Sequence, residues 1–353
     1  MLARRVIFFT LLLVTTGSSW SVLPITLSTD GGAEKTPPHL TFVRAFSSVQ
    51  DVKRDMHPEL NRSLDIIAGP KEAQPVTYSM NQPYGVTSDS SHRIYVTDIG
   101  AGEVHVFDFV HSHYSLLRGG EHLRTPFGIA ADPEGNVYVS DTDLQTILVY
   151  DPRGKFTHYI KKRRGNESYF AAPWGIAVDP VMQHIYVCDR LRHMVFILDK
   201  KGRILRRIGK RFGGDGPGEF RYPTQVIAAG AEIAVLDLGN LRIQILDAQG
   251  QFRKEIKLGY TNNGAGLAMD KEGNFYVTDP LVNQLRIFDH DGQLLYESRK
   301  DGSEAGQFDG MSGIWVDSGR CLYIADTHNK RVQLFQITGP DERTAPPNCI
   351  GTQ

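Results

Sequence analysis

A short motif that ends in aspartate recurs six times along this 353-residue chain, and it limits the possible folds more than any other feature. In each copy a run of apolar residues closes on the carboxylate, as in IYVTD and VYVSD. The six aspartates are Asp98, Asp141, Asp189, Asp237, Asp279 and Asp326. Their positions differ by 43, 48, 48, 42 and 47 residues. A period of about 40 to 50 residues is typical of the four-stranded blades of a β-propeller.

The segments between the aspartates repeat one order of elements. Each unit opens on an apolar entry segment, and the six are PYGVTSD at Pro83, PFGIAAD at Pro126, PWGIAVD at Pro173, PTQVIAA at Pro223, GAGLAMD at Gly264 and MSGIWVD at Met311. The aspartate-ended strand and a third alternating strand follow. Five units add an outer strand, over residues 114–118, 156–160, 204–208, 252–256 and 294–298. We therefore predict an all-β chain that folds as a six-bladed propeller of four-stranded blades.

The sixth unit lacks an outer strand, which would leave backbone donors and acceptors of the last blade unpaired. The segment Leu64–Gly69 (LDIIAG) has the outer-strand pattern and precedes the first unit. We predict that it pairs beside Val332–Gln336 and closes the ring. Leu40–Ser48 also has a strand pattern, but the sequence assigns it no place. The predicted organisation is an export signal over 1–23, an extension over 24–63, the propeller over 64–338 and a tail over 339–353.

The units resemble the NHL repeat, and the resemblance extends from Leu64 to Thr338. The most specific pieces are DLGNLRIQILDAQGQF from Asp237, DTHNKRVQLF from Asp326, and the linkers GGDGPGEFRYP and GSEAGQF. The first three units lack the Asn and Arg of the DxxNxR pattern. The resemblance implies a six-bladed propeller of NHL type.

The repeated aspartates are interpreted as structural residues that hold the loops in place rather than as catalysts, because catalysis rarely requires six copies of one residue. A carboxylate at the end of a strand can accept hydrogen bonds from the backbone amides of the following loop. We expect Asn240 with Arg242, and Asn329 with Arg331, to tie neighbouring blades in the same way.

The N-terminus has the pattern of an export signal: basic Arg4 and Arg5, an apolar stretch from Val6 to Val14, and the small and polar residues TTGSSWS. The apolar stretch is shorter than the roughly 20 residues that span a bilayer. We predict a periplasmic or secreted protein that contacts a membrane only through this segment, if it is not cleaved. Because 39 basic residues nearly balance 40 acidic ones, we expect no nucleic-acid partner.

The three cysteines form no CxxC pair, so no zinc knuckle or haem attachment is indicated. Cys188 follows an apolar strand pattern and is expected to be a small buried residue. Cys321 and Cys349 could form a disulfide in an oxidising compartment. The sequence equally allows two free thiols.

Two families of propeller enzymes carry metal ligands at the start of the inner strands. Propeller lyases that amidate peptides carry related repeats, and as a family they bind zinc through a histidine after the entry proline. Here the residues at that place are Tyr84, Phe127, Trp174 and Thr224. Calcium-dependent propeller lactonases favour asparagine there, and aromatic rings are poor calcium ligands. We expect no metal, no cofactor and no catalytic residue.

Three successive blades carry an aromatic residue directly after the entry proline, which places Tyr84, Phe127 and Trp174 near the mouth of the central funnel. Aromatic surfaces with convergent polar groups bind peptides, sugars or small apolar molecules. Packing against the neighbouring blade is an equally good explanation. Three loop residues after the blade aspartates could add charge and donors beside the rings, and they are Arg190, Arg192 and His328.

The sequence therefore predicts an exported, non-enzymatic propeller that presents one face of its ring to a protein, a peptide or a cell-surface component such as a glycan. The alternative is a lyase or hydrolase, similar to the peptide-amidating lyases or the lactonases, with its site in the same funnel. The nature of the ligand is not readable from the chain.

Overall fold

The structure, a computed structural model, describes residues 37–54, 79–160, 168–259 and 265–339, together with Cys349. The predicted export signal and the segment Leu64–Gly69 lie outside the described residues. In the described part of the chain no helix has the length and apolar character needed to cross a membrane.

Six four-stranded antiparallel sheets form the blades of a propeller, as the repeats predict. Apart from β1 (His39–Phe46) and a short helix, α1 (Val49–Arg54), the strands follow the repeated units in order. They are β2 (Pro83–Ser88), β3 (Ile94–Asp98), β4 (Glu103–Asp108) and β5 (His113–Leu116) in blade 1; β6 (Pro126–Ala131), β7 (Val137–Asp141), β8 (Thr146–Tyr150) and β9 (Phe156–Ile160) in blade 2; and β10 (Pro173–Val178), β11 (Ile185–Asp189), β12 (Met194–Leu198) and β13 (Ile204–Gly209) in blade 3. The remaining strands are β14 (Pro223–Ala229), β15 (Glu232–Asp237), β16 (Arg242–Asp247) and β17 (Phe252–Lys257) in blade 4; β18 (Gly266–Met269), β19 (Phe275–Asp279), β20 (Gln284–Phe288) and β21 (Leu294–Arg299) in blade 5; and β22 (Met311–Val316), β23 (Cys321–Asp326) and β24 (Arg331–Thr338) in blade 6.

An N-terminal strand closes the last blade, but it is not the predicted one. β1 pairs antiparallel with β24, with His39 opposite Thr338 and Phe46 opposite Val332. The prediction that Leu64–Gly69 occupies this place is therefore wrong, and the propeller includes residues well before position 64. Two features favour β1 as the closing strand. It has eight residues, as β24 does, and its Phe46 adds a buried ring that contacts Phe107 and Phe109 of blade 1.

The buried apolar side chains of the described residues form six clusters, each between adjacent blades. Alternate residues of the second and third strands of each blade face opposite sides of the sheet, so every blade contributes to two clusters. In blade 3, for example, Val187 packs towards blade 2 and Cys188 towards blade 4. Because apolar burial is continuous around the ring, each blade depends on both neighbours for its core.

The inner strands approach each other closely because of the glycine in most entry segments. A Cβ atom at Gly128 would overlap the carbonyl oxygen of Trp174 in the next blade, and one at Gly313 would overlap that of Tyr84. The Ser140 hydroxyl accepts a hydrogen bond from the Gly128 N–H (3.0 Å) and donates to the Trp174 carbonyl oxygen. These contacts fix the backbone of the entry residues relative to their neighbours.

The repeat aspartates are buried and accept hydrogen bonds from the linkers and loops around them. Asp98 accepts from the backbone N–H groups of Gln82 (3.0 Å) and Ala101 (2.9 Å), and Asp189 accepts from that of Ala172 (3.1 Å). In the two complete DxxNxR units the side chains add to this network. Arg242 donates to the carbonyl oxygens of Gly216 and Glu219 in the preceding linker, and Arg331 does the same with Glu304 and Gln307.

Cys321 and Cys349 form a disulfide, which settles the alternative left open by the sequence. Their Cα atoms lie 5.6 Å apart, and both side chains are buried. Cys188 is a buried free thiol between blades 3 and 4, as expected. The bridge ties the C-terminal tail to the second strand of blade 6.

Candidate functional site

One face of the ring carries the start of every inner strand and the end of every second strand. This follows from the register, which pairs Pro83 with Asp98, and Pro173 with Asp189. We call it the entry face. The entry aromatics and the loops that follow the repeat aspartates therefore lie on the same side of the molecule.

The three entry aromatics contact one another at the entry face. Phe127 and Trp174 lie nearly parallel, with ring centroids 3.6 Å apart and planes 13° apart. Tyr84 meets Phe127 edge to face at 4.7 Å. All three residues are half-buried, so packing between blades does not enclose them completely. The close approach of the inner strands, which the entry glycines permit, is what brings these rings into contact.

Arg190 completes this site. Its guanidinium carbon lies 4.7 Å from the centre of the Trp174 ring and 5.9 Å from that of Tyr222. A cation within about 6 Å of an aromatic face is attracted to it. We refer to Tyr84, Phe127, Trp174, Arg190 and Tyr222 as the aromatic–arginine cluster.

Tyr222 is the member that the sequence reasoning missed. It directly precedes the entry proline of blade 4, a place occupied by Gln82, Thr125 and Ala172 in the first three blades. Its φ is 51°, a left-handed conformation that is uncommon for a bulky residue and is often found at functional sites. His193 supports it, since the Nδ1 of His193 accepts a hydrogen bond from the Tyr222 N–H (3.0 Å) and the two rings pack edge to face. An aromatic residue before a proline was the only available signal.

The cluster carries the positive charge of Arg190, and no acidic side chain within the described part of the chain pairs with it. Among the described residues the guanidinium of Arg190 has no hydrogen-bond or ion-pair partner, and its Nε is buried. The indole N–H of Trp174 is also buried, and it has no hydrogen-bond partner among the residues that the structure describes. Burial raises the pKa of Tyr84, although Trp174 and Arg190 oppose this shift. Tyr84 therefore stays neutral, and unpaired donors dominate the site.

A cavity of about 110 Å³ lies at the end of the inner strands away from the entry face, lined by residues such as Ile129, Ile176 and Trp315. Gln225 takes the place of the entry glycine in blade 4, and its side chain lies against Gly175. Sites for drug-sized ligands usually enclose about 300 to 1,000 Å³, so a larger ligand would bind at the mouth of the funnel rather than inside the channel.

Two of the predicted site residues have other contacts. Arg192 lies 3.3 Å from the carboxylate of Asp189 and donates to the carbonyl oxygen of Ser168 (3.2 Å). His328 is exposed and lies 2.9 Å from the carboxylate of Asp309. The structure thus brings Tyr84, Phe127, Trp174 and Arg190 together, and it directs Arg192 and His328 elsewhere. In the described ranges, no group of three or more His, Cys, Asp or Glu side chains is arranged to hold a metal ion.

The comparisons with known proteins agree with the fold. A family described as "6-bladed beta-propeller" matches residues 176–276. A search of curated protein sequences gives no match. Together with the six sheets, the family match identifies the chain as an all-β, six-bladed propeller.

Solved structures give the same result. A streptogramin B lyase is similar with a TM-score of 0.54 and 14% identity, over 73% of this chain and 94% of that chain. The virginiamycin B lyase from Staphylococcus aureus has a TM-score of 0.53 and 14% identity, over 73% and 85%. A chain of the nidogen/laminin complex has a TM-score of 0.54 and 21% identity, over 68% and 88%. At these identities the likeness is one of fold alone.

Proposed function

We propose that this protein is an exported, non-enzymatic propeller of NHL type, which binds a protein or peptide through its entry face. The export pattern of residues 1–23 and the repeat motifs support the location and the family. The observation that carries the function is Arg190, which is held against Trp174 and Tyr222 without an acidic partner among the described residues. A ligand carboxylate beside the accessible part of this guanidinium would form a charge-assisted hydrogen bond, which is about twice as strong as a neutral one.

Exposed apolar side chains beside the cluster favour a macromolecular ligand. Leu191 (61% exposed) adjoins Arg190, and Tyr222 (42%) belongs to the cluster itself. Phe212 (91%) precedes Gly213, which lies against the ring of His193. Grouped apolar side chains with a charged rim are typical of protein interaction sites. We therefore expect a ligand segment in which an acidic residue lies next to an aromatic or aliphatic one.

A peptide-display selection on the purified chain tests this proposal. We expect the selected peptides to combine an acidic residue with an apolar neighbour. Their affinity, measured by biolayer interferometry, should fall at least about tenfold in Trp174→Ala and in Arg190→Gln, because each variant removes a contact made with the ligand. Arg203→Gln is the matched control, since Arg203 is exposed and already paired with Asp199.

Folding of each variant is checked by circular dichroism, because Trp174 also packs against Phe127. The proposal is wrong if the selection yields no binder. It is also wrong if the binders keep their affinity for a folded Trp174→Ala protein. The structural similarity to the lyases is not evidence that this chain has lyase activity.

A further inference from the structure

A groove between blades 2 and 3 is separate from the aromatic–arginine cluster. Its volume is about 550 Å³, within the range of about 300 to 1,000 Å³ typical of sites for organic ligands. The floor contains Phe170, Met194 and Phe196, and the rim contains Arg192, Arg207 and Arg211. Phe170 and Phe196 are buried, so the half-buried Met194 forms the more accessible part of this floor.

The groove exists because blade 3 departs from the repeat. In blade 4, the residues five and seven places after the repeat aspartate are Arg242 and Gln244, and both donate to the Glu219 carbonyl oxygen of the preceding linker. In blade 3 the equivalent residues are Met194 and Phe196. Neither can make these hydrogen bonds, and the polar side chains that bridge strand and linker in blade 4 are replaced by an apolar surface.

The outer strand of blade 3 reverses the charge found at the same position in the next two blades. Arg207 lies opposite Phe196, whereas Glu255 lies opposite Gln244 in blade 4. In blade 5 the same place is occupied by Glu297, opposite an arginine. A glutamate there can pair with the arginines of its own blade, but Arg207 faces an aromatic ring instead.

Two of the three rim arginines lack an ion-pair partner among the described residues, and they are Arg207 and Arg211. The guanidinium of Arg207 lies over the Phe196 ring at 5.4 Å, and that of Arg211 lies near the Phe212 ring at 5.9 Å. Within the described part of the chain neither has a carboxylate partner, and no Asp or Glu lines the groove. Arg192 differs, because Asp189 lies 3.3 Å away. The described residues that line the groove therefore form a net positive rim above an apolar floor.

We propose that this groove binds an organic anion with a planar apolar body. Its sulfonate, carboxylate or phosphate group pairs with Arg207 and Arg211, since guanidinium groups match the geometry of these oxyanions. Its apolar body covers Met194, the accessible part of the floor, which removes apolar surface from water. This site does not depend on the proposed function of the entry face.

Calorimetric titration with 2-naphthalenesulfonate, 2-naphthoate and 2-naphthyl phosphate tests the proposal. We expect at least one of them to bind wild-type protein, and the uncharged 2-naphthalenemethanol and inorganic sulfate to bind at least about tenfold more weakly. Arg207→Glu should weaken binding by about ten- to a hundredfold, because a charge-assisted contact becomes a repulsion. Arg207 is exposed, so this variant is expected to fold.

Arg206→Glu is the matched control. It makes the same charge change on the same strand, but neighbouring side chains of a strand point to opposite faces, and Arg206 lies opposite Ile197 rather than Phe196. We expect it to bind the probe as wild type does, and Trp174→Ala to do so as well. The proposal is overturned if none of the three anions binds, if Arg207→Glu binds like wild type, or if Arg206→Glu loses as much affinity. Loss of binding in Trp174→Ala would indicate that the anion binds at the entry face, and this result would also overturn the proposal.

Discussion

Closure of the ring by β1 predicts a large and specific loss of stability in Phe46→Ala. Phe46 is only 1% exposed, and it packs edge to face on two rings of blade 1, with centroids 4.8 Å from Phe107 and 5.2 Å from Phe109. Removing a buried phenylalanine side chain costs about 3 to 5 kcal/mol. Because both ring contacts are also lost, we expect a decrease of about 4 kcal/mol in the free energy of unfolding.

Phe42→Ala on the same strand is the matched control. Phe42 is 37% exposed and makes an edge contact with Phe335 at 5.7 Å, so we expect a loss of about 1 to 2 kcal/mol. Guanidinium unfolding, followed by tryptophan fluorescence and far-ultraviolet circular dichroism, measures both. Equal losses for the two variants, or a loss below about 1.5 kcal/mol in Phe46→Ala, would refute closure by β1 as the source of the stability.

Two further predictions concern the disulfide and one repeat aspartate. Cys349→Ser removes a bridge between residues 28 positions apart, and the entropy of closing such a loop predicts a loss of about 3.6 kcal/mol; a reductant should destabilise wild type in guanidinium unfolding and leave the variant unchanged. Burial opposes ionisation of Asp98, but the His105 ring and backbone N–H donors outweigh it and lower its pKa to about 2. The folded state therefore gains stability from Asp98 above its ordinary pKa of about 3.9 and loses it as the pH falls towards 2. The stability difference between wild type and Asp98→Asn should narrow by about 1 kcal/mol from pH 5 to pH 3, and a difference that stays constant would contradict the expectation.

The number and order of the blades could be predicted from the sequence because every blade has the same local requirements. Each second strand needs alternating apolar residues, and the loop after it needs an acceptor for its amides. Because each blade has these requirements at the same place, the aspartate recurs once per blade, from Asp98 to Asp326. The entry aromatics were recognisable for the same reason, since the proline before each of them marks the start of an inner strand.

The closing strand could not be predicted in this way. Two N-terminal segments have a strand pattern, and local pattern does not distinguish β1 from Leu64–Gly69. The choice depends on how His39–Phe46 matches a strand almost three hundred residues later, and on the cavity between blades 6 and 1 that Phe46 fills. The disulfide is similar, because its formation depends on the distance between Cys321 and Cys349 in the folded chain.

The candidate sites also contain features that the sequence predicts and features that only the folded chain shows. By itself the sequence determined a six-unit ring with aromatic residues at its mouth, because those features are set by short, repeated patterns. Only the tertiary structure decided that Arg190 lies between Trp174 and Tyr222, and that Arg192 belongs to a groove instead. Arg190 meets Trp174 of another strand of blade 3 and Tyr222 of the linker to blade 4, and Arg192 donates to the backbone of Ser168, 24 residues earlier. These contacts join residues that are distant in sequence, so they are set by tertiary packing rather than by a local stretch of sequence.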